Sequence, residues 1–146
     1  MSDLSEHPAV AEEKAGLVLV EPEPANEHGE QLLLDIDDEA SAEALTAALQ
    51  VLSNNGVTAV VEKWTTSAGG NRHAYVRVMT GALCGPQLAG QPFSMLWRIA
   101  LQACLGSDRK RELFSLLRIG RAYDIPAVCF FEKPDADVHK AEEPPR

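Results

Sequence analysis

Leu32-Leu33-Leu34-Asp35-Ile36-Asp37, followed at once by Asp38-Glu39 and a long Ala- and Leu-rich stretch, is the part of the chain whose reading decides the fold. An apolar run that turns acidic at its end suits a buried strand reaching water at its last residues. Beyond it, Ala44, Leu45, Ala48, Leu49 and Leu52 recur at helical spacing within a helix read from Ala42 to Asn55, and form one apolar stripe. Ser41 or a preceding aspartate can cap that helix, and Asn54-Asn55-Gly56 ends it, with Gly56 suited to the left-handed position after the last turn.

Val57 to Trp64 reads as a second strand and Thr65 to Asn71 as a polar turn, longer than a minimal hairpin needs. His73 to Met79 alternates, with His73, Tyr75, Arg77 and Met79 on one, half-exposed face and Ala74, Val76 and Val78 on the other. After a Gly-rich loop, a helix over Phe93–Leu105 is predicted to turn Phe93, Leu96, Trp97, Ala100, Leu101 and Cys104 inward, with Gly106 stopping it. A further helix starts at Ser107-Asp108 and ends at Gly120, and Ala127 to Glu132 is the last strand. The order predicts an α+β domain with the βαββαβ split topology of ferredoxin-like and RNA-recognition-motif-like folds, an antiparallel sheet with helices on one face. In that topology the first and third strands are adjacent and antiparallel, so the end of Leu32–Asp37 meets the start of His73–Met79.

With 146 residues, one core is expected, in a domain over residues 31–134. Residues 1–30 read as an acidic, Pro-rich arm and 135–146 as a charged tail. The island Gly16-Leu17-Val18-Leu19-Val20 is either part of that arm or a strand pairing with the core or a partner. Eight acidic residues against Lys14 in the arm, ten against ten basic in the domain and four against two in the tail place the net charge of −9 at the ends, so the acidic pI says little about the folded face. Cys84, Cys104 and Cys129 are too few and too scattered for a disulfide scaffold or a CxxC knuckle, and point to inert thiols in a reducing cytoplasm. No secretory leader and no apolar run approaching a membrane span is read in the chain.

Asp35 and Asp37 are two apart on one strand and project from the same face. Two carboxylates so close favour a hard divalent cation, with Mg²⁺ or Mn²⁺ the expected cofactor; otherwise Asp37 or Asp38 caps the next helix and Asp35 finds an arginine. Thr65 to His73 gathers hydroxyls, backbone amides beside glycine, a guanidinium and an imidazole, the donors that a phosphate wants, although a plain hairpin has the same composition. Arg109, Lys110 and Arg111 sit at the start of a helix, where cations are unfavourable, and Arg118 and Arg121 follow. Such a cluster suits a nucleic-acid backbone or an acidic protein surface, an ordinary solvated face, or cover by the chain's own acidic arm.

Taken together, the two strand ends resemble the archaeo-eukaryotic primase and primase-polymerase superfamily. Its first motif is an apolar strand ending in paired acids, seen here as Leu33-Leu34-Asp35-Ile36-Asp37. Its second runs from a small polar turn through His into an apolar strand, seen here as Ser67-Ala68-Gly69-Gly70-Asn71-Arg72-His73-Ala74-Tyr75-Val76. The resemblance implies that Asp35, Asp37 and His73 form the catalytic set, with the aspartates on the metal. It implies nucleotide phosphates on Ser67, Gly69, Gly70, Arg72 and His73, and a third metal-binding acid for which Asp124 is the candidate. The family's further subdomain has no counterpart here, which suits a reduced, inactive or partner-dependent relative. Two functions follow: a metal-dependent nucleotide- or nucleic-acid-binding domain serving DNA replication, or a non-catalytic adaptor that binds a protein partner or a second copy of itself.

Overall fold

The computed structural model describes residues 16–66, 72–79, 95–121, 128–132, 134 and 137–140. In chain order the elements are β1 (Val18–Val20), β2 (Glu30–Ile36), α1 (Glu39–Asn54), β3 (Ala59–Thr66), β4 (Arg72–Val78), α2 (Met95–Cys104), α3 (Arg109–Arg121), β5 (Phe130–Glu132) and β6 (Asp137–Lys140).

The fold is mixed α+β. Its main sheet has four antiparallel strands in the order β2-β4-β3-β6, and β1 pairs with β5 in a separate antiparallel ribbon. β2 and β4 are neighbours, as the strand order predicts, but β2 is an edge of this sheet rather than a central strand. The last strand of the predicted topology, β5, leaves the sheet to pair with the Val18–Val20 island. The place at the opposite edge is taken by β6, which lies in a stretch that reads as tail.

One face of the sheet carries Leu32, Leu34, Ile36, Ala74, Val76, Val78 and Trp64, packed against Ala42 and Leu45 of α1 and against Leu105. Asp38 is the cap of α1, accepting from the Ser41 amide, and Gly56 takes the left-handed conformation after the helix. The other face, expected to be half exposed, is covered: Leu33 and Tyr75 pack with Ile99, Val128, Phe130 and Val20. Arg77 ties the N-terminal segment to this face, donating to Glu23 and to the carbonyls of Pro24 and Gly29 and pairing with Glu62. Gly29 is required there, because its φ is 108° and a Cβ would fall 1.9 Å from the Val78 carbonyl oxygen.

Helices α2 and α3 serve the outer edge of β2. Gln102 accepts from the Leu33 amide and Ser107 from the Asp35 amide, while Arg98 donates to the Gln31 carbonyl and Arg111 to that of Leu33. Backbone groups that a fourth strand would have paired are thus satisfied by side chains. This corrects the predicted orientation of α2. Arg98, Ile99 and Gln102 are its buried residues, whereas Leu96, Trp97, Ala100 and Cys104 face outward and Leu101 is only partly covered. The polar side of the helix turns inward because the strand edge demands hydrogen bonds, and Phe93 lies outside the described residues. α3 also runs through Gly120 to Arg121 instead of ending at the glycine. No helix among the described residues is long and apolar enough to cross a membrane.

Candidate functional site

The β2–β4 register sets Asp35 directly opposite His73. Odd-numbered residues at this end of both strands point away from α1, so the carboxylate and the imidazole share one face, and His73 Nε2 lies 3.8 Å from Asp35 Oδ1. The start of α3 is tied to the same place, since the Asp108 amide donates to the Asp35 carbonyl at 2.8 Å and Ser107 Oγ accepts from the Asp35 amide at 3.0 Å. Asp108 thereby joins Asp35 and Asp37 in a cluster whose ligand oxygens all lie within 4.8 Å of one another. Asp38 caps α1, which leaves Asp37 to the cluster.

Three carboxylates this close, Asp35 and Asp108 partly buried and Asp37 exposed, are an arrangement able to coordinate a divalent cation through oxygen. Burial pushes the Asp35 carboxyl up to about 7; the His73 charge opposes that rise, the neighbouring Asp37 adds to it and Arg111 counteracts it. The oxygen-only donor set suits a hard divalent cation in general.

On its other side His73 meets Glu132, a residue the sequence reading did not single out. Glu132 Oε1 receives His73 Nδ1 at 2.9 Å, Tyr75 OH at 2.8 Å and Thr65 Oγ1 at 2.5 Å. Burial raises the Glu132 carboxyl, but the hydrogen bonds and the charge of His73, with those from Thr65 and Tyr75, outweigh it and hold the group below its ordinary value. Burial and the Glu132 contact push the Tyr75 hydroxyl well up. Phe130, also on β5, stacks on the imidazole with centroids 3.9 Å apart and planes 9° from parallel. The only signal for either residue in the sequence is that Ala127 to Glu132 reads as a strand.

The other expected residues are distributed differently. Arg72, the next residue on β4, lies on the opposite side of the strand from His73 and pairs with Glu39 at 3.7 Å. Ser67, Gly69, Gly70 and Asp124 lie outside the described residues. The basic helix is not one surface. Arg109 and Lys110 are exposed, but Arg111 turns inward to the Leu33 and Cys129 carbonyls and to Glu112, and Arg118 is buried with Nη1 3.5 Å from Cys129 Sγ. The misplaced cation at the start of α3 is therefore explained by internal carbonyl oxygens, which need no external anion. The side chain of Arg121 is outside the described set.

Against known proteins the chain matches no family model, no curated protein and no solved structure, so the geometry itself carries the functional reading.

Proposed function

We propose that this domain holds a divalent cation on Asp35, Asp37 and Asp108 and through it binds the phosphates of a nucleotide or nucleic acid, as a relative of the primase-polymerase core. The observation that carries the reading is the convergence of three carboxylates beside a histidine, at a strand end where the partly buried Asp35 carboxyl is costly to ionise without a cation. The adjacency of an acid-ended strand and a strand that opens on His73 is the feature shared with that superfamily's two motifs. Asp108 supplies the third carboxylate of the cluster, while Asp124, the candidate drawn from the resemblance, lies outside the described residues. A bound Mg²⁺ or Mn²⁺ would neutralise phosphate charge.

Thermal melting with Mn²⁺, alone and with a nucleoside triphosphate, tests the reading. Millimolar Mn²⁺ is expected to raise Tm by several degrees, nucleotide to raise it further, and Asp35→Asn or Asp108→Asn to remove both effects. An unchanged wild-type Tm under all conditions would sink the proposal.

A second reading, an adaptor that docks a protein, is favoured by the exposed apolar side chains Leu96 and Trp97 on α2 and Leu113 and Leu116 on α3. It expects Trp97→Arg or Leu116→Arg to change the association state seen by sedimentation while leaving the Mn²⁺ response intact.

A further inference from the structure

Helices α2 and α3 are built inside out. The side of α2 that meets β2 carries Arg98 and Gln102 beside Ile99, and the buried residues of α3 include Glu112, Ser115 and Arg118. Gln102 Nε2 donates to both oxygens of Glu112, at 3.0 and 3.2 Å, which ties the helices together on this inner side. At about 100° per residue, Leu96, Trp97, Ala100 and Cys104 fall on the opposite side of α2, and Arg109, Leu113 and Leu116 on the opposite side of α3. Leu96 is 61% exposed and Leu113 60%. The hairpin thus holds polar groups against the strand edge and presents leucine and tryptophan to water, the mark of a surface that another molecule covers.

The same face specifies the charge and the form of its occupant. α2 has no acidic residue and the only acid of α3, Glu112, is buried, whereas Arg109 and Lys110 are exposed in the first turn of α3. Asp108, just before that turn, is engaged by the Arg111 amide and belongs to the carboxylate cluster. The positive end of the helix backbone adds to the two cations. A second copy of this face would set cation against cation. An extended peptide gains its affinity from main-chain hydrogen bonds at a strand edge, which two helices do not offer, while a helix brings its own backbone satisfied and can lay an apolar stripe along them. An anionic membrane has similar local chemistry, but as an extended sheet of charge it meets the whole chain, with its net charge of −9. A docked helix lies within about one Debye length, ~8 Å, of the cations themselves.

We propose that the outer face of α2 and α3 is a docking site for an acidic amphipathic helix of a partner protein, whose apolar stripe covers Leu96, Trp97, Leu113 and Leu116 and whose flanking carboxylates meet Arg109 and Lys110. The inference rests on the docking reading of this face, to which it adds the partner's form and charge, and it is independent of the carboxylate cluster.

The probe is a synthetic helical peptide of about four turns, with leucine along one side and glutamate on its flanks, compared with a twin that carries lysine in place of glutamate. Each is titrated into the full chain while Trp97 emission is followed; Trp64, 2% exposed, is shielded throughout. The glutamate peptide is expected to shift the emission to the blue, to protect it from acrylamide and to bind about tenfold more tightly than its twin at low salt, with the gap closing as salt rises. Arg109→Glu combined with Lys110→Glu should invert the preference, and Leu113→Ser should weaken both peptides alike. Equal binding of the twins, or a preference that the charge reversal leaves in place, overturns the acidic partner and spares the docking reading. A response to phosphatidylserine vesicles in place of the peptide assigns the face to a lipid surface, and a Trp97 already shielded in an oligomer that Leu116→Arg disperses assigns it to a second copy; either result overturns the proposal. If neither peptide nor vesicle moves Trp97 and Leu116→Arg leaves sedimentation unchanged, the docking reading fails with it.

Discussion

Asp35 and His73 face each other across the β2–β4 ladder, with the carboxylate oxygen 3.8 Å from the imidazole nitrogen, yet the Asp35 carboxyl is held at about 7. The attraction is outweighed by the loss of water and by the second aspartate. Between the unfolded value of about 3.9 and the folded value, the native state binds the extra proton, so stability contributed by Asp35 falls as pH rises through that window. The wild-type Tm is expected to decline from pH 5 to pH 8 in chelator. Asp35→Asn should flatten that slope and exceed the wild type at pH 8 by about 1–3 kcal/mol in urea unfolding. An unaltered slope in the variant would contradict the electrostatic account.

Glu132 works in the opposite sense. Its folded pKa is depressed, so its contribution is present above the unfolded carboxylate range and is lost as pH falls through the folded value. Tyr75→Phe removes one of its three donors and is expected to cost about 1 kcal/mol at pH 7. The difference from wild type should shrink near pH 3, as followed by urea denaturation at both pH values.

Arg111 and its two neighbours separate a structural cation from solvated ones. Arg111→Ala strands the Leu33 and Cys129 carbonyls and removes the guanidinium over the Phe130 ring, a loss expected to reach about 2–4 kcal/mol. Arg109→Ala and Lys110→Ala should each stay within about 0.5 kcal/mol. Equal effects at all three positions in chemical denaturation would refute the division.

The two tryptophans offer an optical check on the fold. Trp64 is 2% exposed and Trp97 59%. Trp97→Phe should leave a blue-shifted emission that acrylamide quenches poorly, with little change in stability, whereas the wild type should show a second, readily quenched component.

The β2–α1 unit and the facing of Asp35 and His73 are legible because period, capping and strand order are local signals, and an antiparallel first and third strand fixes the rest. Glu132 is not legible in the same way, since its position depends on a ribbon of two three-residue strands from opposite ends of the chain. Such strands are too short to display a period. The facing of α2 misleads for a different reason. Apolar spacing picks out Leu96 and Trp97, but the unpaired backbone of β2 recruits Arg98 and Gln102, and hydrogen-bond demand decides which side is buried. Asp108 reads as a helix start, and it is one; its place in the carboxylate cluster comes from where Asp35 anchors that start.

The side chains engaged along β2 also determine how the sheet can grow. An extended peptide approaching that strand meets carbonyls and amides already occupied by Arg98, Gln102, Ser107 and Arg111, and would have to displace them one after another before its first rung formed. Among the described residues, the edge of the main sheet left without such cover is then the far one, along Asp137–Lys140.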